Sequence, residues 1–118
     1  MNLRFTRRSL LITGIITSLF AVAAFAEEIH VIGFASSASV NAGQATSVSV
    51  QVNQVPMSVT ITSNPPGLVN YTAMVTSTTQ SLSVPTNAGA PAGNYTLKAM
   101  PTAGGAGQSH SVIAAPPL

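Results

Sequence analysis

Cysteine and tryptophan are absent from the 118-residue chain, and charged residues make up only 5% of it. Without cysteine no disulfide can staple a small domain, so burial of apolar side chains must hold it together. The few charges are unevenly placed. Arg4, Arg7 and Arg8 open the chain, and only Glu27, Glu28 and Lys98 come after them. The formal net charge of +2 thus belongs to the first residues, and the remainder of the chain is slightly acidic. A chain body without a basic stripe has no counterion release to drive binding, which excludes a nucleic-acid binder. Aspartate is also missing, and the two glutamates are neighbours. A Ser/His/acid triad needs a carboxylate to orient its histidine, and here the only ones lie next to the start of the body, where chains fray. Paired carboxylates for glycoside cleavage fail as well, because adjacent strand residues point to opposite faces. Calcium asks for several carboxylate or carbonyl oxygens and structural zinc for four ligands; two histidines without cysteine are too few. The chain is expected to be no enzyme.

Residues 1–26 read as a signal peptide. Arg4, Arg7 and Arg8 form a positive first region. Ser9 to Phe25 is mainly apolar, and Ala24-Phe25-Ala26 supplies a small-x-small cleavage site after Ala26. The apolar run of about 17 residues is at the short limit for crossing a bilayer and is interrupted by Thr13, Gly14, Thr17 and Ser18. Thr6-Arg7-Arg8-Ser9-Leu10-Leu11 resembles the twin-arginine export motif, although an ordinary secretory leader that happens to hold two adjacent arginines is the favoured reading. Either route places residues 27–118 in a bacterial periplasm or outside the cell. Membrane contact is expected only through the leader, before cleavage.

Residues 27–118 are rich in valine, serine and threonine, with Gly and Pro between the apolar stretches. That composition favours strands. Disordered stalks are low in hydrophobicity and high in charge, the reverse of this chain. The pattern predicts seven short strands. The first covers Ile29–Phe34, with a second piece near Ala38–Val40. Thr46–Asn53 points Val48, Val50 and Val52 one way, and Met57–Thr62 does the same with Met57, Val59 and Ile61. Val69–Thr76 is less regular. Gln80–Val84 turns Leu82 and Val84 inward, Asn94–Met100 places Tyr95, Leu97 and Ala99 on one face, and Ser109–Ala114 is last. Pro116-Pro117-Leu118 cannot extend a ladder. Strands that bury one face each, at such short spacing, close best as two packed antiparallel sheets.

Two stretches carry a family likeness. Val40-Asn41-Ala42-Gly43-Gln44-Ala45-Thr46-Ser47-Val48-Ser49-Val50 resembles the first turn and following strand of bacterial immunoglobulin-like domains. Ala90-Pro91-Ala92-Gly93-Asn94-Tyr95-Thr96-Leu97 is similar to their loop into the penultimate strand, where Gly-x-Tyr-x-Leu recurs. Pro65-Pro66-Gly67-Leu68 and the turn from Gly104 to Val112 fit the same frame. The resemblance implies an immunoglobulin-like β-sandwich of about seven antiparallel strands over residues 27–118. It also implies an accessory module of secreted or surface proteins, a spacer or binding surface without catalysis. A tyrosine at the position of Tyr95 is expected to bury its ring and return its hydroxyl to the backbone a few residues upstream, with Gly93 allowing the bend before it.

Copper is the one metal whose preferences the residue types meet: His30, His110, Met57, Met74 and Met100 are soft or borderline ligands. Cleavage after Ala26 makes His30 fourth rather than third, which loses an amino-terminal chelate, and gap-filling core methionines with two surface histidines account for all five. No cofactor or metal is expected. Asn70-Tyr71-Thr72 and Asn94-Tyr95-Thr96 match the glycosylation acceptor pattern, which so Thr-rich a chain meets by chance. The function expected is an exported structural or protein-interaction module, with an unknown protein or cell-surface partner and self-association favoured by low charge. A polysaccharide-binding module is the alternative, with Phe34 and Tyr71 the aromatics free for stacking, and a periplasmic copper protein is the second.

Overall fold

The computed structural model describes residues 28–118, so the signal-peptide reading of residues 1–26 lies outside the described residues. Those residues hold no helix. They form eight strands: β1 (Val31–Ser36), β2 (Ser39–Asn41), β3 (Thr46–Val52), β4 (Met57–Asn64), β5 (Asn70–Val75), β6 (Thr79–Val84), β7 (Gly93–Pro101) and β8 (Gln108–Ala115). Three strands pair in the order β1-β3-β6, and five in the order β2-β8-β7-β4-β5.

The alternation that defines each strand also builds the core. Val48, Val50 and Val52 of β3 are buried, as are Met57, Val59 and Ile61 of β4 and Tyr95, Leu97 and Ala99 of β7. Their polar neighbours face outward. One cluster gathers these side chains with Val31 and Val84 from the smaller sheet and Val75, Val112 and Ala114 from the larger. The two sheets therefore share one apolar interior in a sandwich-like arrangement.

Two expectations need correction. The strand count is eight, not seven, because the two pieces of the first strand belong to different sheets. β1 lies antiparallel to β3, pairing Phe34 with Val50. After Ser37-Ala38 the chain crosses over, and β2 lies parallel to β8, pairing Ser39 with Ile113 and Asn41 with Ala115. Bonds from the Ile113 N–H to the Ala38 carbonyl (2.9 Å) and from the Ala42 N–H to the Ala115 carbonyl (2.9 Å) hold it there. One pair is thus parallel in a set expected to be wholly antiparallel. Alternation reports which side of a strand is buried and carries no information on which sheet it joins. The observed β1 also starts later than Ile29, and its register shifts between Val31 and Gly33. Such a bulge turns an extra side chain out; here it is Ile32, which is exposed.

The loops are closed by side chains of the turn residues. The turn at Asn41–Gln44 carries the Gln44 N–H to the Asn41 carbonyl (3.0 Å). Across it, Thr86 Oγ1 donates to the Gln44 carbonyl (2.6 Å) and accepts from the Gly43 N–H (2.9 Å). Pro65-Pro66-Gly67 ends β4, and Ser63 Oγ beneath it accepts from the N–H groups of Leu68 and Val69, each at 3.1 Å. Ser63 and Leu68 are both buried, so those donors reach a partner where water does not. Tyr95 behaves as its position predicts. It is 5% exposed, and its hydroxyl donates to the Pro91 carbonyl at 2.6 Å. Gly93, at a φ of 149°, makes the bend between them.

Candidate interaction surface

The outward positions of the larger sheet are mostly hydroxyls and amides, with Met74, Met100 and Ile113 among them. Thr60 on β4 lies opposite Thr72 on β5 and Met100 on β7. Thr62 lies opposite Asn70 and Lys98, and Asn64 opposite Thr96. On β8, Ser109 and Ser111 continue the rows from Lys98 and Thr96. Several of these groups satisfy one another. Thr60 Oγ1 is 3.1 Å from Thr72 Oγ1 and 2.8 Å from Thr102 Oγ1, which is 2.9 Å from Ser58 Oγ. Four hydroxyls are thus connected in the order Thr72 on β5, Thr60 on β4, Thr102 just past β7 and Ser58 back on β4. The smaller sheet repeats the chemistry with Ser47 opposite Ser83, Ser49 opposite Ser81 and Gln51 opposite Thr79. Among the described residues the only charged side chains are Glu28 and Lys98.

An open depression of about 450 Å³ lies at one end, lined by the β4–β5 turn (Ser63, Gly67, Leu68) and by Pro85, Thr86 and Asn87. Another, of about 500 Å³, lies beside β8, lined by Ala38, Asn94, Tyr95, His110 and Ile113 among others. Near it, Ser36 Oγ and His110 Nδ1 are 2.9 Å apart, a bond between the two sheets. Ser36 Oγ also contacts the Ser37 carbonyl at 3.0 Å. A hydroxyl has one proton: if it goes to that carbonyl, the ring must donate at Nδ1 and is no base toward the serine. Glu28 sits at the far end of β1, its backbone carbonyl taken by Asn53 Nδ2 (2.7 Å). The pair is a clasp between the sheets, and among the described residues no side-chain carboxylate stands beside it to orient the ring.

The candidate copper ligands are dispersed. Met57 is in the core, whereas Met74 and Met100 are on the outer face of β5 and β7. His110 bonds Ser36. His30 is tied by its backbone to Asn53, whose Oδ1 accepts from the His30 N–H at 2.8 Å. Among the described residues no three His, Cys, Asp or Glu side chains gather. Phe34 and Tyr71, expected to be free for stacking, both pack against the core cluster. The reason is register: Phe34 pairs with buried Val50 and Tyr71 with buried Ile61. Asn70 and Asn94 are exposed. Glu27 lies outside the described residues.

The hydroxyl row and the Ser36–His110 clasp are not legible in the sequence. Outward Ser and Thr are visible in the alternation, but their neighbours depend on cross-strand register, and Ser58 and Thr102 are far apart in the chain. No family model matches the chain, and no curated protein or solved structure matches it.

Proposed function

We propose that the chain is an exported, non-catalytic module of immunoglobulin-like β-sandwich form, with a structural or protein-interaction role in the periplasm or outside the cell. The strand arrangement supports the immunoglobulin-like reading. A first strand divides between the two sheets, and a Tyr95 corner closes the loop into β7. The observation that carries the interaction role is the surface. Two sheet faces rich in hydroxyls and amides, with a few exposed apolar side chains and almost no charge, border strand edges that a partner's strand can extend. The aromatics and the soft ligands sit where neither sugar stacking nor a common metal centre uses them, which disfavours both alternatives.

The test is expression of the full chain in a bacterial host. An exported product whose N-terminus is Glu27 by mass spectrometry supports the leader reading, and retention in the cytoplasm rejects it. Crosslinking on intact cells should then trap the exported chain in discrete protein complexes. Turnover of an ester, peptide or glycoside substrate by the purified product would end the non-catalytic reading.

A further inference from the structure

We propose that the exposed edge of β5 is a self-pairing surface, on which a second copy of this chain adds its own β5 antiparallel and joins the two larger sheets into one. The proposal deepens the interaction reading above and rests on it.

An open sheet edge presents unpaired N–H and C=O groups, and proteins that stay single blunt it with charge, proline, bulges or short strands. The two sides of this sandwich differ in that respect. On one side β1 carries its register shift, and β2 is three residues long. On the other side β6 ends the smaller sheet, uncharged but without an exposed large apolar side chain, and β5 ends the larger. Its sequence, Asn-Tyr-Thr-Ala-Met-Val, holds no charge and no proline. It also displays Met74, 56% exposed.

The bonding phase of that edge is legible. The Ser63 N–H reaches the Val69 carbonyl (3.2 Å), and the Thr102 N–H reaches the Ser58 carbonyl (2.9 Å). Bonded and non-bonded pairs alternate along an antiparallel ladder. So Ser58, Thr60 and Thr62 bond β7, and the odd-numbered residues of β4 bond Tyr71, Ala73 and Val75 of β5. Asn70, Thr72 and Met74 are left with backbone groups directed to the open edge. A two-fold axis at Thr72 is the arrangement that uses all three within the strand: Thr72 faces its own copy, and Asn70 faces the other Met74. Each facing pair exchanges two backbone bonds.

A second copy is the occupant the chemistry favours. The interface of a two-fold pair is the same patch twice, so any charge on it would meet its like. Here none lies on β5, and the described residues carry one positive and one negative side chain, Lys98 and Glu28. Lys98 is two strands inside the edge, opposite Thr62. Neither local nor overall repulsion opposes pairing.

The experiment uses the exported protein recovered from the host, by sedimentation velocity over a range of concentrations. The wild type should pass from monomer to dimer as concentration rises. Thr72→Lys and Thr72→Glu each place like charges face to face across the axis, and each should raise the dimer Kd at least tenfold at low salt. An equimolar mixture of the two should dimerise again. Thr72→Cys, in a chain otherwise free of cysteine, should crosslink to dimer with a short bismaleimide, while Ser47→Cys on the other sheet should not. Circular dichroism checks that each variant keeps its strands. A wild type that stays monomeric at millimolar concentration overturns the pairing, as do Lys and Glu variants that dimerise as well alone as mixed. Those results leave the exported, non-catalytic module reading standing, because that reading is tested separately, by export, crosslinking on cells and substrate turnover.

Discussion

Replacing Tyr95 by Phe removes one oxygen from the interior and nothing else, which makes it a clean probe of the corner that ties the β6–β7 loop to β7. The hydroxyl donates to the Pro91 carbonyl at 2.6 Å, and the ring beneath it is buried in the core cluster. The ring of Phe fills the same space, so no cavity contribution arises. What is lost is one hydrogen bond, with a net worth of about 0.5–1.5 kcal/mol. Pro91 itself is exposed, so its carbonyl can turn to water and the cost of an orphaned acceptor is avoided. The expected loss is therefore about 1 kcal/mol. For a domain of this size that lowers Tm by about 4–8 °C, a shift readily measured by circular dichroism or calorimetry. Urea denaturation should show the same loss as a lower midpoint with an unchanged slope, because the surface exposed on unfolding does not change. Tyr71→Phe is the comparison. Its ring is half-buried on β5, and among the described residues its hydroxyl closes no such loop. If Tyr95→Phe leaves the midpoint where Tyr71→Phe leaves it, the bond contributes nothing and the account of the corner is wrong.

Leu97, two residues further along β7, has no exposed surface, and Leu97→Ala should cost about 2–5 kcal/mol through lost burial and the cavity left behind; a smaller shift in the urea midpoint would mean that the two sheets close over the gap. Ser63→Ala removes the acceptor shared by the Leu68 and Val69 N–H groups. With those donors buried, the expected loss is about 1–3 kcal/mol, and hydrogen exchange at Leu68 and Val69 should rise while that in β3 changes little. Ser63→Thr, which keeps the oxygen, should recover part of the loss, and equal destabilisation by Ala and Thr would assign the effect to packing alone.

Much of the architecture comes from local pattern. Each strand predicted from alternating Val, Leu, Ile and Met recurs with its ends shifted by about two residues or fewer, and the inward residues named for β3, β4 and β7 are the buried ones. A strand half in water and half in the core must alternate, so the buried face is written directly into the order of residues. The least regular pattern, Val69–Thr76, corresponds to β5. This is an edge strand in which only Val75 is fully buried and three residues are exposed, and a strand with neighbours on one side places weaker demands on its sequence. Phe34 and Tyr71 escape the sequence pattern for a related reason. Their neighbours in the chain do not reveal that they pair with Val50 and Ile61 across the ladder.

Residue order alone therefore accounts for the all-β character, for the turns at Asn41–Gln44 and Pro65–Gly67, for the buried faces of β3, β4 and β7 and for the near absence of charge. These are properties of one strand or one turn, and short-range sterics and hydrophobicity set them. Three-dimensional packing was needed to divide the first strand between two sheets, to lay β2 parallel to β8, to join Ser36 with His110 and to connect Ser58, Thr102, Thr60 and Thr72 by their hydroxyls. Each of these depends on which distant segment lies alongside. That choice is made by the closing of the whole core, where many weak contacts act together, and no window of neighbouring residues contains it.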